Sequence, residues 1–193
     1  MEPRQMQPSP FRQTNAFAMN YALPYGIYWI IGMLCFVNSL NNSLFSLVFY
    51  FVFASTPVIG YVLLCRFRER VCGGVISFGR GYLFSLLLYF YAALLLAAAC
   101  YVYFQFFDHG AFIDRYLQML SSPEVKQAFE QESMKQLTNG RGLDDIKDIM
   151  EKMQSIPPVT YAANLLDINI FLGLVLSLPA SLLAVRKTAQ SKQ

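Results

Sequence analysis

One acidic residue lies within an apolar stretch of the chain, where ionisable side chains are rare. Asp167 is the single carboxylate inside the last of four long apolar segments, and Asn164 precedes it on the same helical face. Asn169 follows two residues later. A charged side chain inside the bilayer costs at least about 2.5–3.5 kcal/mol on insertion scales, so such residues are often functional. The sequence predicts a polar intramembrane site here, serving either a hydrogen bond to a facing helix or an ion, a proton or a lipid headgroup.

Four arginines form a second candidate group in the connection between the second and third apolar segments: Arg66, Arg68, Arg70 and Arg80. Basic side chains at a membrane surface attract anionic lipids by about 1 kcal/mol each. We therefore predict that these arginines contact anionic lipid headgroups. The glycines within 74–79 have phosphate-loop spacing, but the Lys-Ser/Thr pair that would bind phosphate and Mg²⁺ does not follow them, which argues against a nucleotide site.

Motifs for catalysis and metal binding are missing from the sequence. It contains no nucleophile elbow, no dinucleotide fingerprint and no metal-binding helix. His109 is the single histidine, and one histidine among scattered carboxylates falls short of a zinc pattern. The four cysteines lie in apolar segments or in the basic connection, which is typical of reduced, structural thiols. We expect no enzyme activity, no cofactor and no metal.

The composition indicates which elements hold these residues. Of the 193 residues, 55% are hydrophobic and 14% are charged, and the net charge is +3. Soluble domains carry about 25% charged residues, so this chain is not typical of a soluble protein. The small net charge also argues against nucleic acid as a partner. Four segments reach the length of about 20 apolar residues that spans a bilayer, so the predicted fold is an all-α, polytopic integral membrane protein with the lipid bilayer as partner.

The segment boundaries follow from hydropathy and charge. We predict a cytoplasmic tail over 1–16, transmembrane helices over 17–37, 44–64, 82–107 and 161–185, a short outer turn over 38–43, a basic glycine-rich cytoplasmic elbow over 65–81, an outer helical segment over 108–160 and a cytoplasmic tail over 186–193.

The orientation follows from Lys and Arg. The two tails and the elbow carry nine of these residues against Glu2 and Glu69, whereas the turn over 38–43 carries none. Because excess Lys and Arg stay on the cytoplasmic side, both termini are predicted to be cytoplasmic.

The outer segment is predicted to form short amphipathic helices. Apolar residues recur at helical spacing over 113–120 and again over 143–153. Ser122-Pro123 marks the start of a helix and Asn139-Gly140 marks an end. Two interpretations remain open: the helices rest as a cap on the bundle mouth or headgroups, or they bind a partner helix.

Small residues recur every four positions on two of the apolar segments. Gly173, Ser177 and Ser181 do so on the last segment, and Ala93 and Ala97 on the third. Such stripes let helices approach closely, so these residues are predicted to pack helices, either within the chain or between copies.

The glycine-rich elbow Gly73-Gly74-Val75-Ile76-Ser77-Phe78-Gly79 enters a long third segment. An acidic outer segment follows, and then a fourth segment with Gly173 and a basic end. In this layout the chain resembles the bacterial membrane-protein family catalogued as domain of unknown function 4199. The resemblance implies a four-helix protein of the bacterial inner membrane and supplies no activity or catalytic residues.

Three functions remain possible from the sequence. The first is a non-catalytic membrane subunit that binds a membrane-protein partner or another copy through the small-residue stripes and the outer helices. The second is a small carrier or lipid-handling protein that uses Asp167. The third is an accessory to a membrane-associated enzyme of envelope or lipid-linked sugar synthesis, held there by the arginines.

Overall fold

The computed structural model describes residues 9–130 and 142–186 of the chain. Within these ranges the chain forms α-helices and no β-strand, which confirms the predicted all-α polytopic fold. The predicted helix end at Asn139-Gly140 and the charges of the two extreme tails lie outside the described residues. The helices are α1 (Pro10–Asn38), α2 (Ser43–Val71), α3 (Phe78–Tyr103), α4 (Ala111–Leu120), α5 (Pro123–Glu130), α6 (Leu143–Gln154) and α7 (Pro158–Ala184), and α3 continues into one π-helical turn (Phe104–Asp108).

Four of these helices are long and apolar enough to cross a membrane: α1, α2, α3 with its π-helical turn, and α7. A helix of 27 residues, such as α7, is about 40 Å long at 1.5 Å per residue and exceeds the hydrocarbon core of about 30 Å. Large apolar side chains cover the outside of the bundle, including Phe51 at 69% exposure and Leu183 at 71%. In water this surface would be unfavourable, so the bilayer is its solvent.

Side-chain caps and prolines define where the long helices begin. The Asn42 side chain accepts a hydrogen bond from the Leu44 backbone N–H at 2.8 Å, which starts α2. Ser77 accepts from the Arg80 N–H at 3.4 Å and starts α3. Pro158 occupies the first turn of α7, where its missing N–H is not needed.

The elbow is shorter than the sequence predicts. α2 continues to Val71, so Arg66, Arg68 and Arg70 lie on its last turns. The helix continues because each further residue still pairs its backbone groups within the helix. Only residues 72–77 connect α2 to α3, and they reverse direction at Gly73 and Gly74, whose φ angles of +64° and +85° favour glycine.

α3 lies at the centre of the bundle. It packs against α1 on one side and α7 on the other, and Phe84, Leu88 and Ala92 on α3 are fully buried. The Phe84 ring stacks on the Phe67 ring of α2 with a centroid distance of 4.3 Å. Side chains of α1, α2 and α7 therefore pack against α3 to form the core.

The small-residue stripes are buried between helices of the same copy. On α7, Gly173, Ser177 and Ser181 are buried, and a Cβ added to Gly173 would meet the Tyr89 side chain of α3. On α3, Ala93 and Ala97 are buried as well. These residues pack the helices of one copy against each other, so a partner protein must use a different surface.

The outer helix α4 rests on the end of the bundle. The Phe112 ring contacts the Phe36 ring of α1 at 5.7 Å and the Phe104 ring at 5.9 Å. The Asp108 carboxylate, 4% exposed, accepts a hydrogen bond from the Phe112 N–H at 3.1 Å and holds the start of α4. The Gln154 side chain of α6 donates to Asp114 of α4 at 2.7 Å. α4 and α6 thus form an outer layer over the bundle mouth.

Candidate functional site: an apolar cavity between the spanning helices

A cavity of about 490 Å³ lies between α2 and α7 in the outer half of the bundle, with α1 and α3 behind it. Aromatic and aliphatic side chains dominate its lining. The lining includes residues of α1, α2 and α7, among them Trp29, Gly32, Phe53, Ala54, Thr56, Ile168 and Asn169.

The cavity exists because α2 and α7 are joined at one end of the bundle and separated farther along. At the joined end, the Arg68 guanidinium of α2 donates a hydrogen bond to the Ala184 carbonyl of α7 at 2.9 Å. Farther along, Thr56 and Pro57 on α2 face Asn169 and Leu172 on α7 across the cavity. Pro57 lies in the interior of α2, and a proline there removes one backbone hydrogen bond and favours a bend.

Two polar side chains of the lining bond to their own helices. The Thr56 hydroxyl donates to the Val52 carbonyl at 2.9 Å, and the Asn169 amide donates one of its N–H groups to the Leu165 carbonyl at 2.7 Å. The surface that the lining exposes to the cavity is almost entirely apolar. The cavity presents a hydrocarbon surface.

Trp29 forms the back of the cavity and is held by two tyrosines. Its ring lies 5.0 Å from the Tyr25 ring and 5.9 Å from the Tyr89 ring, measured between centroids. The Tyr25 hydroxyl donates to the Thr56 carbonyl at 2.8 Å and thereby fixes α1 to α2. These contacts hold Trp29 in the cavity wall and attach α1 to α2.

Two lining residues also mark the side on which the cavity opens. Phe53 on α2 is 63% exposed and Ile168 on α7 is 58% exposed, although both line the cavity. Because both residues lie on spanning helices, the opening between them faces the bilayer. A membrane lipid can reach the cavity without leaving the hydrocarbon phase.

A second apolar cavity, of about 340 Å³, lies between the bundle mouth and the outer layer. Met150 and Met153 of α6 and Tyr116 of α4 contribute to its lining. It shares Met33, Phe36 and Leu165 with the larger cavity. These three residues form a common wall between the intramembrane cavity and the space beneath the outer helices.

The predicted intramembrane polar group is divided between two faces of α7. Asn164 and Asp167 are both exposed, whereas Asn169 is half-buried in the cavity lining. Among the described residues, neither Asn164 nor Asp167 has a hydrogen-bond partner on a facing helix. Asn164 and Asp167 therefore both lie on the exposed side of α7, whereas Asn169 lies in the cavity lining.

The four predicted lipid-binding arginines also separate into two pairs. Arg68 is 5% exposed and donates to the Glu69 carboxylate at 2.8 Å as well as to Ala184. Arg80 donates to Gln13 at 2.6 Å and to Thr14 at 3.3 Å, and its guanidinium lies over the Phe67 ring. These two arginines bind protein groups.

The other two arginines, Arg66 and Arg70, are exposed. They lie on the last turns of α2, so their side chains are free to contact lipid headgroups. The contacts of Arg68 and Arg80 also gather the start of α1, the end of α2, the start of α3 and the end of α7 at one end of the bundle, which is the basic end.

Apart from Asn169, the cavity residues were not predicted as site residues from the sequence. Phe53, Ile168 and Leu172 are of the same types as residues that face lipid elsewhere in the chain, so composition does not distinguish them. Two signals were available: Pro57 within the second apolar segment, and Gly32, where a Cβ would lie 2.7 Å from the Val52 side chain.

The four apolar spanning helices, with the outer helical layer and a cavity that opens sideways, define an α-helical multi-pass membrane protein. The chain belongs to the family described as Protein of unknown function (DUF4199), whose family model matches residues 20–186. This confirms the resemblance indicated by the glycine-rich elbow and the segment layout. No match is found among curated proteins or among solved structures.

Proposed function

We propose that this protein is a non-catalytic membrane protein that binds a hydrocarbon chain of a bilayer lipid in the cavity between α2 and α7. The observation that carries the proposal is the cavity itself, with its apolar lining and its opening between Phe53 and Ile168. Its volume of about 490 Å³ falls within the range of about 300–1,000 Å³ that is typical of small-molecule sites.

The chemistry of the lining favours a hydrocarbon chain over a headgroup or an ion. A buried polar ligand needs hydrogen-bond partners, whereas the lining is almost entirely apolar. The Thr56 hydroxyl and one N–H of the Asn169 amide already donate within their own helices. An acyl or isoprenoid chain needs no such partners. This is the lipid-handling hypothesis from the sequence, with the site moved from Asp167 to the cavity.

The affinity for such a chain depends on packing. A lipid chain that moves from the bilayer into the cavity gains little from the hydrophobic effect, because both environments are apolar. It gains dispersion contacts with the side chains around Trp29, and these side chains lack such contacts when the cavity is empty. We expect selectivity for the shape of the chain, with modest affinity.

We further propose that the basic end of the bundle faces the cytoplasm of a bacterial inner membrane, so that both termini are cytoplasmic. Arg12, Arg66, Arg70 and Arg186 are exposed at this end, and excess Lys and Arg favour the cytoplasmic side. The outer helices α4 and α6 then face the opposite compartment. Reporter fusions to the C-terminus and to the turn between α1 and α2 test this orientation, because the C-terminal fusion must report the cytoplasm and the fusion in the turn must report the opposite compartment.

Trp29 allows a direct test of lipid binding, since it is the single tryptophan of the chain and it lines the cavity. The protein is reconstituted into bilayers of phosphatidylcholine with or without mid-chain bromine, which quenches tryptophan on contact. The fluorescence ratio between the two bilayers measures chain occupancy near Trp29. The substitution Ala54→Phe adds a ring at the exposed rim of the cavity, where it narrows the opening, and should reduce the quenching.

The matched control is Ala163→Phe, which adds the same ring on the exposed side of α7, outside both cavities. We expect wild type and Ala163→Phe to be quenched alike and Ala54→Phe to be protected. Native mass spectrometry should show a retained lipid with wild type and its loss with Ala54→Phe. Equal quenching in all three proteins, when all elute alike on gel filtration, would overturn the proposal.

A further inference from the structure

The outward face of α7 carries a polar pair within an apolar surface. Asn164 and Asp167 are exposed and lie three residues apart, on one side of the helix. Apolar residues continue the same face toward the basic end, where Phe171 is 65% exposed and Leu182 is 66% exposed. This face borders the cavity at Ile168, which lies four residues after Asn164 and three before Phe171. The other α7 residues of the cavity lining, Leu165, Asn169, Leu172 and Leu176, lie on the adjacent side of the helix.

The depth of Asp167 makes its exposure unfavourable. It is the tenth residue of α7, so it lies about 14 Å along the helix from Pro158 at 1.5 Å per residue. If the hydrocarbon core of about 30 Å is centred on the helix of about 40 Å, Asp167 lies about 8 Å inside the core. At that depth a carboxyl group in contact with lipid chains lacks the hydrogen bonds that water would supply.

We propose that this face of α7 binds a second copy of the same chain. Copies with the same membrane orientation are related by a two-fold axis along the bilayer normal, and such an interface brings the same patch of both copies together. Residues of equal depth then face each other. The Asn164 amide of one copy can donate to the Asp167 carboxyl of the other, and the symmetry makes the reciprocal bond.

The donor and acceptor composition of the face favours a second copy over an unrelated helix. Each copy contributes an amide donor and a carboxyl acceptor within a single helical turn, so two copies can form a reciprocal pair of hydrogen bonds. The buried stripe at Gly173 and Ser177 is already occupied by α3, so it does not compete as an interface. Interhelical hydrogen bonds of this kind contribute to helix association in membranes.

Self-association in vesicles at low protein density tests the proposal, with single-molecule photobleaching to count copies. Wild type should form dimers, and Asp167→Leu should weaken the dimer. Two symmetric hydrogen bonds, each of average to maximal strength for membrane proteins, predict a decrease in the association constant of about tenfold to about 300-fold. The matched control is Asn20→Leu, because Asn20 is an exposed amide on α1 outside both cavities, and it should dimerise like wild type.

Cysteine cross-linking locates the interface independently of stability. In a variant without the four native cysteines, Phe171→Cys should form a disulfide between copies and leaves Asn164 and Asp167 in place, whereas Phe51→Cys, exposed on α2, should not. Monomeric wild type would overturn the proposal, as would dimers of Asp167→Leu that are as strong as those of wild type. Neither result depends on the cavity, because Ala54→Phe leaves this face of α7 intact.

Discussion

Gly173 on α7 lies directly against Tyr89 on α3, and a Cβ atom on Gly173 would stand 2.7 Å from the Tyr89 Cβ. The opposite end of the same tyrosine meets a second glycine, since a Cβ on Gly60 of α2 would lie 2.5 Å from the Tyr89 hydroxyl oxygen. Tyr89 is 2% exposed. One buried aromatic side chain therefore spans the bundle from α7 to α2, and two glycines make the space for it.

The first prediction concerns this contact. Gly173→Ala should lower the free energy of unfolding by about 1–3 kcal/mol, because the added methyl group overpacks a site that has no room for it. The measurement is the unfolding midpoint of the purified protein in detergent. Gly79→Ala is the control, since a Cβ there meets no atom of the described residues within 4 Å. An equal effect of both substitutions would contradict the packing argument.

The second prediction separates two arginines that lie two residues apart on α2. Arg68→Leu should destabilise the protein by about 1–3 kcal/mol, because it leaves the buried carbonyl of Ala184 without its donor. Arg66→Leu should change stability by no more than about 0.5 kcal/mol, since Arg66 is exposed. Thermal unfolding of the two variants in the same detergent checks the difference. If both variants unfolded at the same temperature as wild type, the hydrogen bond from Arg68 to Ala184 would not stabilise the contact between α2 and α7.

The spanning helices could be predicted from the sequence because the bilayer restricts the whole circumference of a helix to apolar residues. For the same reason, the sequence does not show which side of each helix faces lipid, another helix or a cavity. Leu172 lines the cavity and Leu182 faces outward, yet both are leucines in one apolar helix. The rotation of each helix is set by packing, such as the contact between Gly173 and Tyr89, and not by a periodic pattern.

Helix rotation, which the sequence does not show, also explains why the four predicted lipid-binding arginines and the three predicted polar residues of α7 do not stay together in the structure. Arg66 and Arg68 point in different directions because a helix turns by about 100° per residue, and only Arg68 reaches Ala184. Asn169 and Asp167 are separated in the same way on α7. Sequence spacing predicted that Asn164 and Asp167 share a face, and both are exposed, but the spacing did not predict which neighbour that face meets.

The third prediction concerns the two exposed arginines at the basic end. Arg66→Gln and Arg70→Gln together should reduce the enrichment of phosphatidylglycerol around the protein, by up to about fivefold for each arginine. Electron paramagnetic resonance of a spin-labelled phosphatidylglycerol measures the lipid at the protein boundary. Lys152→Gln, on the outer helix α6, serves as the control and should have little effect if the basic end is the site of contact. Unchanged enrichment in the double variant would contradict this role for Arg66 and Arg70.

The fourth prediction is a pH dependence at the turn between α2 and α3. Burial raises the pKa of the Cys72 thiol above its ordinary value, and the positive charge of Arg80 opposes this increase in part. Because the thiolate is the reactive form, alkylation of Cys72 by a small uncharged reagent should reach its half-maximal rate at a higher pH than for an exposed thiol. The measurement uses a variant in which Cys35, Cys65 and Cys100 are replaced by serine.

Substitutions of Arg80 test the direction in which its positive charge shifts the pKa of Cys72. Arg80→Gln should move the half-maximal pH still higher, because the thiolate loses the cation that stabilises it, whereas Arg80→Lys retains the charge and should move it less. A shift to lower pH in Arg80→Gln would mean that Cys72 has become exposed, and the rate in denaturant supplies the exposed reference. A wild-type profile that coincides with that reference would refute the burial of Cys72 as the cause.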